Sequence, residues 1–598
     1  MRVYQEQYIE NVKKIEELSR EIRTVDIDFS QWIVLQKQNQ RIISELKAEN
    51  NRLLNENLFP ALDELYSASQ DTLSELEQFA DELMDWRTNL DCGIYATIHE
   101  ALLKIARIRH DRNSLIKELY KTGMGLYYRN RMIAGIDDQY TSSFYFQNEM
   151  LFTEAASFLR YFEEIEDEDT KGYIIRAAAN IALCTKDHKR KIAASAKTLR
   201  LCRDAYIRAL APTLPWDAFI RKTHQQMSAN RSELSKGDLT KEELAEVLDS
   251  CYEVFKPEEN AENPSVRWLW PYYDMEYCCG YVDLTMTLDR LEQLIDTTPE
   301  KQFDMNGLYG SVQLPAYYGR LLEMNPQSLN EQKRASFLDK AYRNALSSLL
   351  ACPKEKMDDV YFYLVEQMLT NYVEIPGLIS YREFTESLIM RLDYAFYIRA
   401  RKSGVMIQAC CEKIIADDPL FFDDIPFLAE IKDVGEKKKT LFHFAEECGL
   451  FYNFGMIKQN ISRTANTRSL FEDEFAIFRL HTVSGADDLR KRTSTAEYAD
   501  VAEGHHSWYN GAGGYPSGYI RIHSPYRQMT DLVSVISFMT EREDEDIRTV
   551  IDDILKREQT QFSPLITKYL TDPELIIRLD GLLHGDDNAF NQEIYHPV

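Results

Sequence analysis

No stretch of this chain stays apolar for the roughly 18 residues that a bilayer-crossing helix requires. The opening MRVYQEQYIENVKK has no apolar core of the kind a secretory leader carries. These absences predict a soluble, cytoplasmic protein with no membrane partner. Positive charge is the second deficit: 70 Lys and Arg face 97 Asp and Glu, a net charge of −27. Binders of nucleic-acid polymers or anionic membranes concentrate positive charge on their surface, so neither role is expected. A pocket for a single nucleotide needs only a few cations and stays open. Cysteine occurs ten times but never as CxxC, which argues against a zinc knot or a dithiol redox centre. The adjacent pairs Cys278-Cys279 and Cys410-Cys411 read instead as buried thiols in a reducing compartment. Strand-like alternation is sparse, so the sheets of a PAS or GAF sensor are not expected.

What is abundant is apolar helix. Apolar residues make up 44% of the 598 positions and aromatics 12%, enough for several domains with large cores. Ile9, Val12, Ile15, Leu18 and Ile22 fall three and four residues apart, on one face of a helix. Ile43, Leu46, Asn50 and Leu53 follow on an a/d-like seam, with Asn50 the polar residue that fixes register in coiled coils. An antiparallel hairpin within one chain and a zipper between two copies both satisfy that pattern, so a homodimer is one outcome. From Cys92 to about Leu210 the amphipathic segments resemble tetratricopeptide-like helix pairs, with Ala177, Ala178, Ala179 and Ala182 permitting close crossings. No strict 34-residue period is present, and a generic bundle fits equally. Asp238 precedes LTKEELAEVL as a predicted helix cap, and PEENAENP reads as a junction. The aromatic run beginning WLWPYYDMEYCC is expected to be helical core rather than a ligand site. The predicted fold is all-α, in four segments: 1–90 long helices or a short coiled coil, 91–225 helical hairpins, 265–430 a bundle, and 431–598 a further helical domain.

Chemistry-bearing residues gather in that last segment. LFHFAEECGLFYNFG is followed by SLFEDEFAIFRLHTVSGADDL, then AEGHHSWYNGAGGYPSG, YRQMTDLVSVISFMTER and QFSPLITKYL. In their order these stretches, from about Lys438 to Leu583, resemble the HD-GYP branch of the HD metal-dependent phosphohydrolase superfamily. The resemblance implies an α-helical domain whose imidazole and carboxylate ligands project from several helices onto a metal centre, the arrangement that activates water against a phosphodiester. It implies His481, His505, His506 and Asp531 as metal ligands and His443 as an additional upstream ligand. Gly514, Tyr515 and Pro516 stand at the Gly-Tyr-Pro element, which implies that Tyr515 lies near a nucleotide. Lys458 lies two residues beyond Met456, where the usual lysine would stand.

The departures are as informative. The His-Asp dyad falls on Tyr452-Asn453, and Ser507, Asn510 and Ser534 occupy positions that are commonly acidic. A family-type two-metal centre is therefore not expected. One divalent ion such as iron or manganese, on His481, His505, His506 and Asp531, remains available. The preferred expectation is a bacterial cytoplasmic signalling protein whose degenerate domain binds a cyclic dinucleotide or a protein. Its competitors are an active mononuclear phosphodiesterase on cyclic di-GMP, and a helical scaffold that recruits a protein partner. His523 and His596 have no partners at a recognisable spacing and read as surface residues, and GAGG over Gly511–Gly514 is not a dinucleotide fingerprint because no βαβ unit flanks it.

Overall fold

A computed structural model describes residues 2–23, 29–84, 89–133, 136, 138–229, 239–261, 264–299, 302–352, 359–459 and 461–584. It is 79% helical, and its strand content among the described residues is three isolated bridges. The fold is all-α. Part of the acidic surplus is used locally: the carboxylates of Asp91, Asp111, Asp167, Asp283, Asp393 and Asp433 each accept a backbone N–H in the first turn of the helix they precede. An anionic cap there satisfies otherwise orphaned donors and complements the helix dipole. Asp238 lies outside the described residues. The helix Lys241–Phe255 is capped by Thr240, whose hydroxyl accepts from Glu243 N while the Glu243 carboxylate accepts from Thr240 N. Among the described residues no helix is long and apolar enough to cross a membrane.

The chain divides into two compact units. The first comprises Met1–Glu16, Ser44–Asn371 and Arg463–Glu474; the second comprises Glu17–Ile43, Tyr372–Ser462 and Phe475–Val598. The division passes through both long N-terminal helices, Arg2–Arg23 and Phe29–Leu53. These run antiparallel within one chain. Asn11 Nδ2 donates to Asn50 Oδ1 at 2.9 Å, Asn39 Nδ2 to the Leu18 carbonyl at 3.2 Å, and Trp32 Nε1 to the Ile22 carbonyl at 3.0 Å. Asn50 is fully buried, and its own amide donates to the Thr467 carbonyl at 2.9 Å. The register-fixing asparagine thus acts inside a hairpin.

In the first unit Tyr8, Val12, Leu58, Leu76, Phe79, Ile94 and Ile98 share one core, which runs across residue 90. A buried ion network closes beside it. Arg468 donates to Asp91 at 2.7 and 2.8 Å and to Glu474 at 2.8 Å, and Tyr8 Oη donates to Asp91 at 2.7 Å. The helices Cys92–Arg109, Arg112–Asn130, Asp138–Ser157, Glu168–Cys184 and His188–Arg203 follow, each packed on the one before it. Trp216–Ala229, Lys241–Phe255 and Val266–Cys278 continue the stack, so packing between sequence neighbours dominates, as in repeat-like helical arrays.

In the second unit the helix Tyr394–Asp417 lies along Val434–Phe451. The Arg382 guanidinium grips Glu447 through two hydrogen bonds of 2.6 and 2.7 Å. Phe444 and Phe451 each stack on Tyr498, at 5.5 and 5.0 Å between centroids. This packing fixes the C-terminal end of Val434–Phe451 beside the helices that carry the histidines. Nine of the ten cysteines are buried and Cys279 is half-buried, all as free thiols. Burial pushes Cys410 up to about 12, so that thiol stays protonated and unreactive at neutral pH.

Candidate functional site

Three elements of the second unit bring the histidines together. His481 opens the helix His481–Arg490, and His505 and His506 follow the short helix Ala499–Gly504. One ligating atom from each of His481, His505 and His506 lies within 4.8 Å of the other two. Close approach of the turn Phe454–Lys458 makes the geometry possible. A Cβ on Gly455 would lie 1.9 Å from the His481 carbonyl oxygen, and one on Gly485 would lie 2.7 Å from Gly455 N. Only glycine lets these backbones meet.

The tautomers follow from the hydrogen bonds. His481 Nδ1 lies 2.8 Å from the Phe478 carbonyl, and His505 Nδ1 lies 2.8 Å from the Ala502 carbonyl. A carbonyl can only accept, so both Nδ1 atoms carry the proton and both Nε2 atoms present a lone pair. Those two Nε2 atoms face each other at 3.4 Å. Two inward lone pairs repel unless an electrophile sits between them, and imidazoles held through Nδ1 with Nε2 free are the arrangement in which histidine ligates a metal. Burial holds His481 down to about 4 and His505 well below the ordinary imidazole range; His481 adds to the latter effect. The same desolvation, with His505 and His481 nearby, lowers His506. All three are neutral at pH 7, the state a metal requires.

The Gly-Tyr-Pro loop closes over the cluster. Gly514 has φ of 81°, and a Cβ there would lie 2.1 Å from the His506 carbonyl. Tyr515 N donates to that carbonyl at 3.2 Å. The Tyr515 ring lies 4.5 Å from the His506 ring and 5.9 Å from the His481 ring, centroid to centroid. Pro516 follows through a cis peptide bond.

The other expected ligands are placed elsewhere. Asp531 is 7% exposed and engaged by both Nε and Nη2 of Arg521, so its charge is neutralised by a guanidinium instead of lying in the imidazole cluster. Lys458 is buried in an ion pair with Asp488. His443 is on the exposed face of the helix Val434–Phe451. Tyr452 does adjoin the cluster: it is 3% exposed, and its ring meets the His505 ring edge-on at 5.0 Å. The neighbouring Asn453 Oδ1 is buried without a hydrogen-bond partner. Ser534 donates its hydroxyl to the His505 carbonyl, which anchors that residue's backbone from the helix Arg527–Thr540. His523 is exposed, and His596 lies outside the described residues.

One neighbour was not anticipated. Glu541 brings a carboxylate oxygen to 3.9 Å from His506 Nε2. The spacing Asp531, Ser534, Phe538, Glu541 is a single helical stripe, and extending that stripe by one turn would have found it. The site can thus present three neutral nitrogen donors with one peripheral carboxylate. That set suits a single divalent ion with open coordination positions. Beside this set Tyr452 offers a phenol and Asn453 a neutral amide, while the Asp531 carboxylate is taken up by Arg521. Comparison with protein-family models, with curated proteins and with solved structures returned no match for this chain.

Proposed function

We propose that the region from about Lys438 to Leu583 is a degenerate HD-GYP-like domain that holds one divalent ion on His481, His505 and His506. In this reading it serves bacterial signalling as a binding module for a cyclic dinucleotide or a protein, and not as an efficient phosphodiesterase. The carrying observation is the facing pair of Nε2 lone pairs at 3.4 Å, with both Nδ1 atoms held by carbonyls. A bound iron, manganese or zinc ion would supply Lewis acidity at that point. The chain's own residues orient the donors: Phe478 and Ala502 fix the tautomers, and Ser534 anchors His505. Tyr515 offers a ring face beside the imidazoles, on which a base could stack. Impaired hydrolysis follows from the missing second-metal ligands at Tyr452 and Asn453 and from the engagement of Asp531 by Arg521.

Metal analysis of the purified full-length protein, paired with a cyclic di-GMP hydrolysis assay in manganese or ferrous iron, tests this. The expected result is about one equivalent of metal, lost in His505→Ala, with no turnover above background. Two equivalents, together with turnover that His505→Ala abolishes, would establish the active-enzyme reading instead. Absence of metal under anaerobic purification and reconstitution would make the three imidazoles a packing cluster and end the proposal.

A further inference from the structure

A second site lies far along the chain from the histidines, within the first unit. Helices between residues 124 and 371 line a partly open cavity of about 570 Å³, inside the range of small-molecule sites, roughly 300–1,000 Å³. Its walls carry Arg131, Lys222, Arg267 and Arg320, and no Asp or Glu is among the lining residues. In a chain with 97 acidic and 70 basic residues, a cavity walled by four cations and no carboxylate departs from the composition around it. Arg320 is paired with Glu323. Arg131 and Arg267 have no carboxylate partner among the described residues, and each guanidinium instead lies against aromatic rings.

One further feature points to a ligand with both charge and a planar body. Arg267 lies 4.4 Å from the Trp268 ring centroid and 5.2 Å from that of Tyr309, while Trp270 and Tyr317 pack at 4.6 Å. Arginine and aromatic faces of this kind receive a planar base. Unpaired guanidinium groups match a phosphate.

We propose that this cavity binds a nucleotide, with Arg267 and Arg131 taking the phosphate and the aromatic walls the base face. The site is independent of the histidine cluster. Isothermal titration calorimetry on the full-length chain tests it with adenosine, guanosine, cytidine and uridine mono- and triphosphates, cyclic mononucleotides, inorganic phosphate, the parent nucleosides and a short acidic peptide. At least one nucleotide is expected to bind saturably. Arg267→Gln and Arg131→Gln should each weaken it tenfold or more without altering the circular-dichroism melt, and His505→Ala should leave it unchanged. The parent nucleoside and phosphate alone should each bind at least tenfold more weakly. No saturable nucleotide binding, binding undiminished in both arginine variants, loss of binding in His505→Ala, or tighter binding of the acidic peptide would each overturn the proposal.

Discussion

At the residue scale, Arg468 is fully buried between Asp91 and Glu474. Removing one partner of a buried ion network leaves an uncompensated charge in a low-dielectric interior, at about 3–5 kcal/mol. Arg468→Met is therefore expected to lower unfolding free energy by roughly that amount in chemical denaturation, where a surface arginine would cost almost nothing. The pair also sets a pH dependence. Burial alone would raise the Asp91 carboxyl, but the Arg468 guanidinium, the Ile94 N–H and the Tyr8 hydroxyl together hold it below the ordinary aspartate range. A carboxylate lowered on folding contributes fully above its unfolded value, about 3.9, and the contribution is lost as pH falls through the folded value. The stability gap between wild type and Asp91→Asn should therefore be constant above about pH 5 and shrink in stronger acid. An equal gap at neutral pH and well below that value would disprove the ion-pair account. Little of this was legible beforehand. Asp91, Arg468 and Glu474 look like ordinary surface charges in the sequence, because nothing local records that segments some 380 residues apart share one core.

At the scale of elements, the sequence was more informative. Ile9, Val12, Ile15, Leu18 and Ile22 were expected on one helical face, and all five are buried. The asparagine seam was legible as a register device, but whether its partner came from the same chain was not. The answer lies in the Asn11–Asn50 bond of 2.9 Å, a contact that helical periodicity does not specify. Asn50→Leu removes the acceptor of the Asn11 amide nitrogen and the donor to the Thr467 carbonyl, and should cost about 1–3 kcal/mol. Because the bond is intrachain, size-exclusion chromatography with light scattering should find the oligomeric state unchanged. The junction of the 454–458 turn with the helix His481–Arg490 makes a sharper demand. Gly455→Ala forces a methyl against the His481 carbonyl oxygen, and overpacking of this kind costs about 1–3 kcal/mol. It should also displace His481 and weaken metal retention, read by metal analysis of the folded variant beside wild type.

At the scale of the whole molecule, a net charge of −27 dominates solution behaviour. Self-repulsion of like charges destabilises compact states and is screened over about 10 Å at 0.1 M salt. Raising monovalent salt from about 0.02 to 0.2 M, which shortens that screening length, is expected to raise the thermal midpoint at neutral pH. A flat or falling midpoint would show that the acidic surplus is already balanced in place, for example by its use in helix caps. The same screening should weaken nucleotide binding at the cavity of the first unit, where attraction is carried by arginines without carboxylate partners. The two salt responses therefore run in opposite directions in one protein.

Composition and periodicity determined by themselves that this chain is helical, that no helix among the described residues is long and apolar enough to cross a membrane, and that nine of its ten thiols are buried, because those properties follow from residue type at 3.6-residue spacing. The family resemblance had grouped His481, His505 and His506 with Asp531 and His443, and only the three histidines come together. Tertiary structure decided the rest. It gave Asp531 to Arg521 and Lys458 to Asp488, turned His443 outward, and brought Tyr452 and Glu541 to the cluster. It also turned Trp268, part of an aromatic run expected to be core, toward a cavity ringed by cations. Ion pairing and burial depend on what packs against a side chain in three dimensions. For these residues that partner comes from another helix, which spacing along the sequence does not encode.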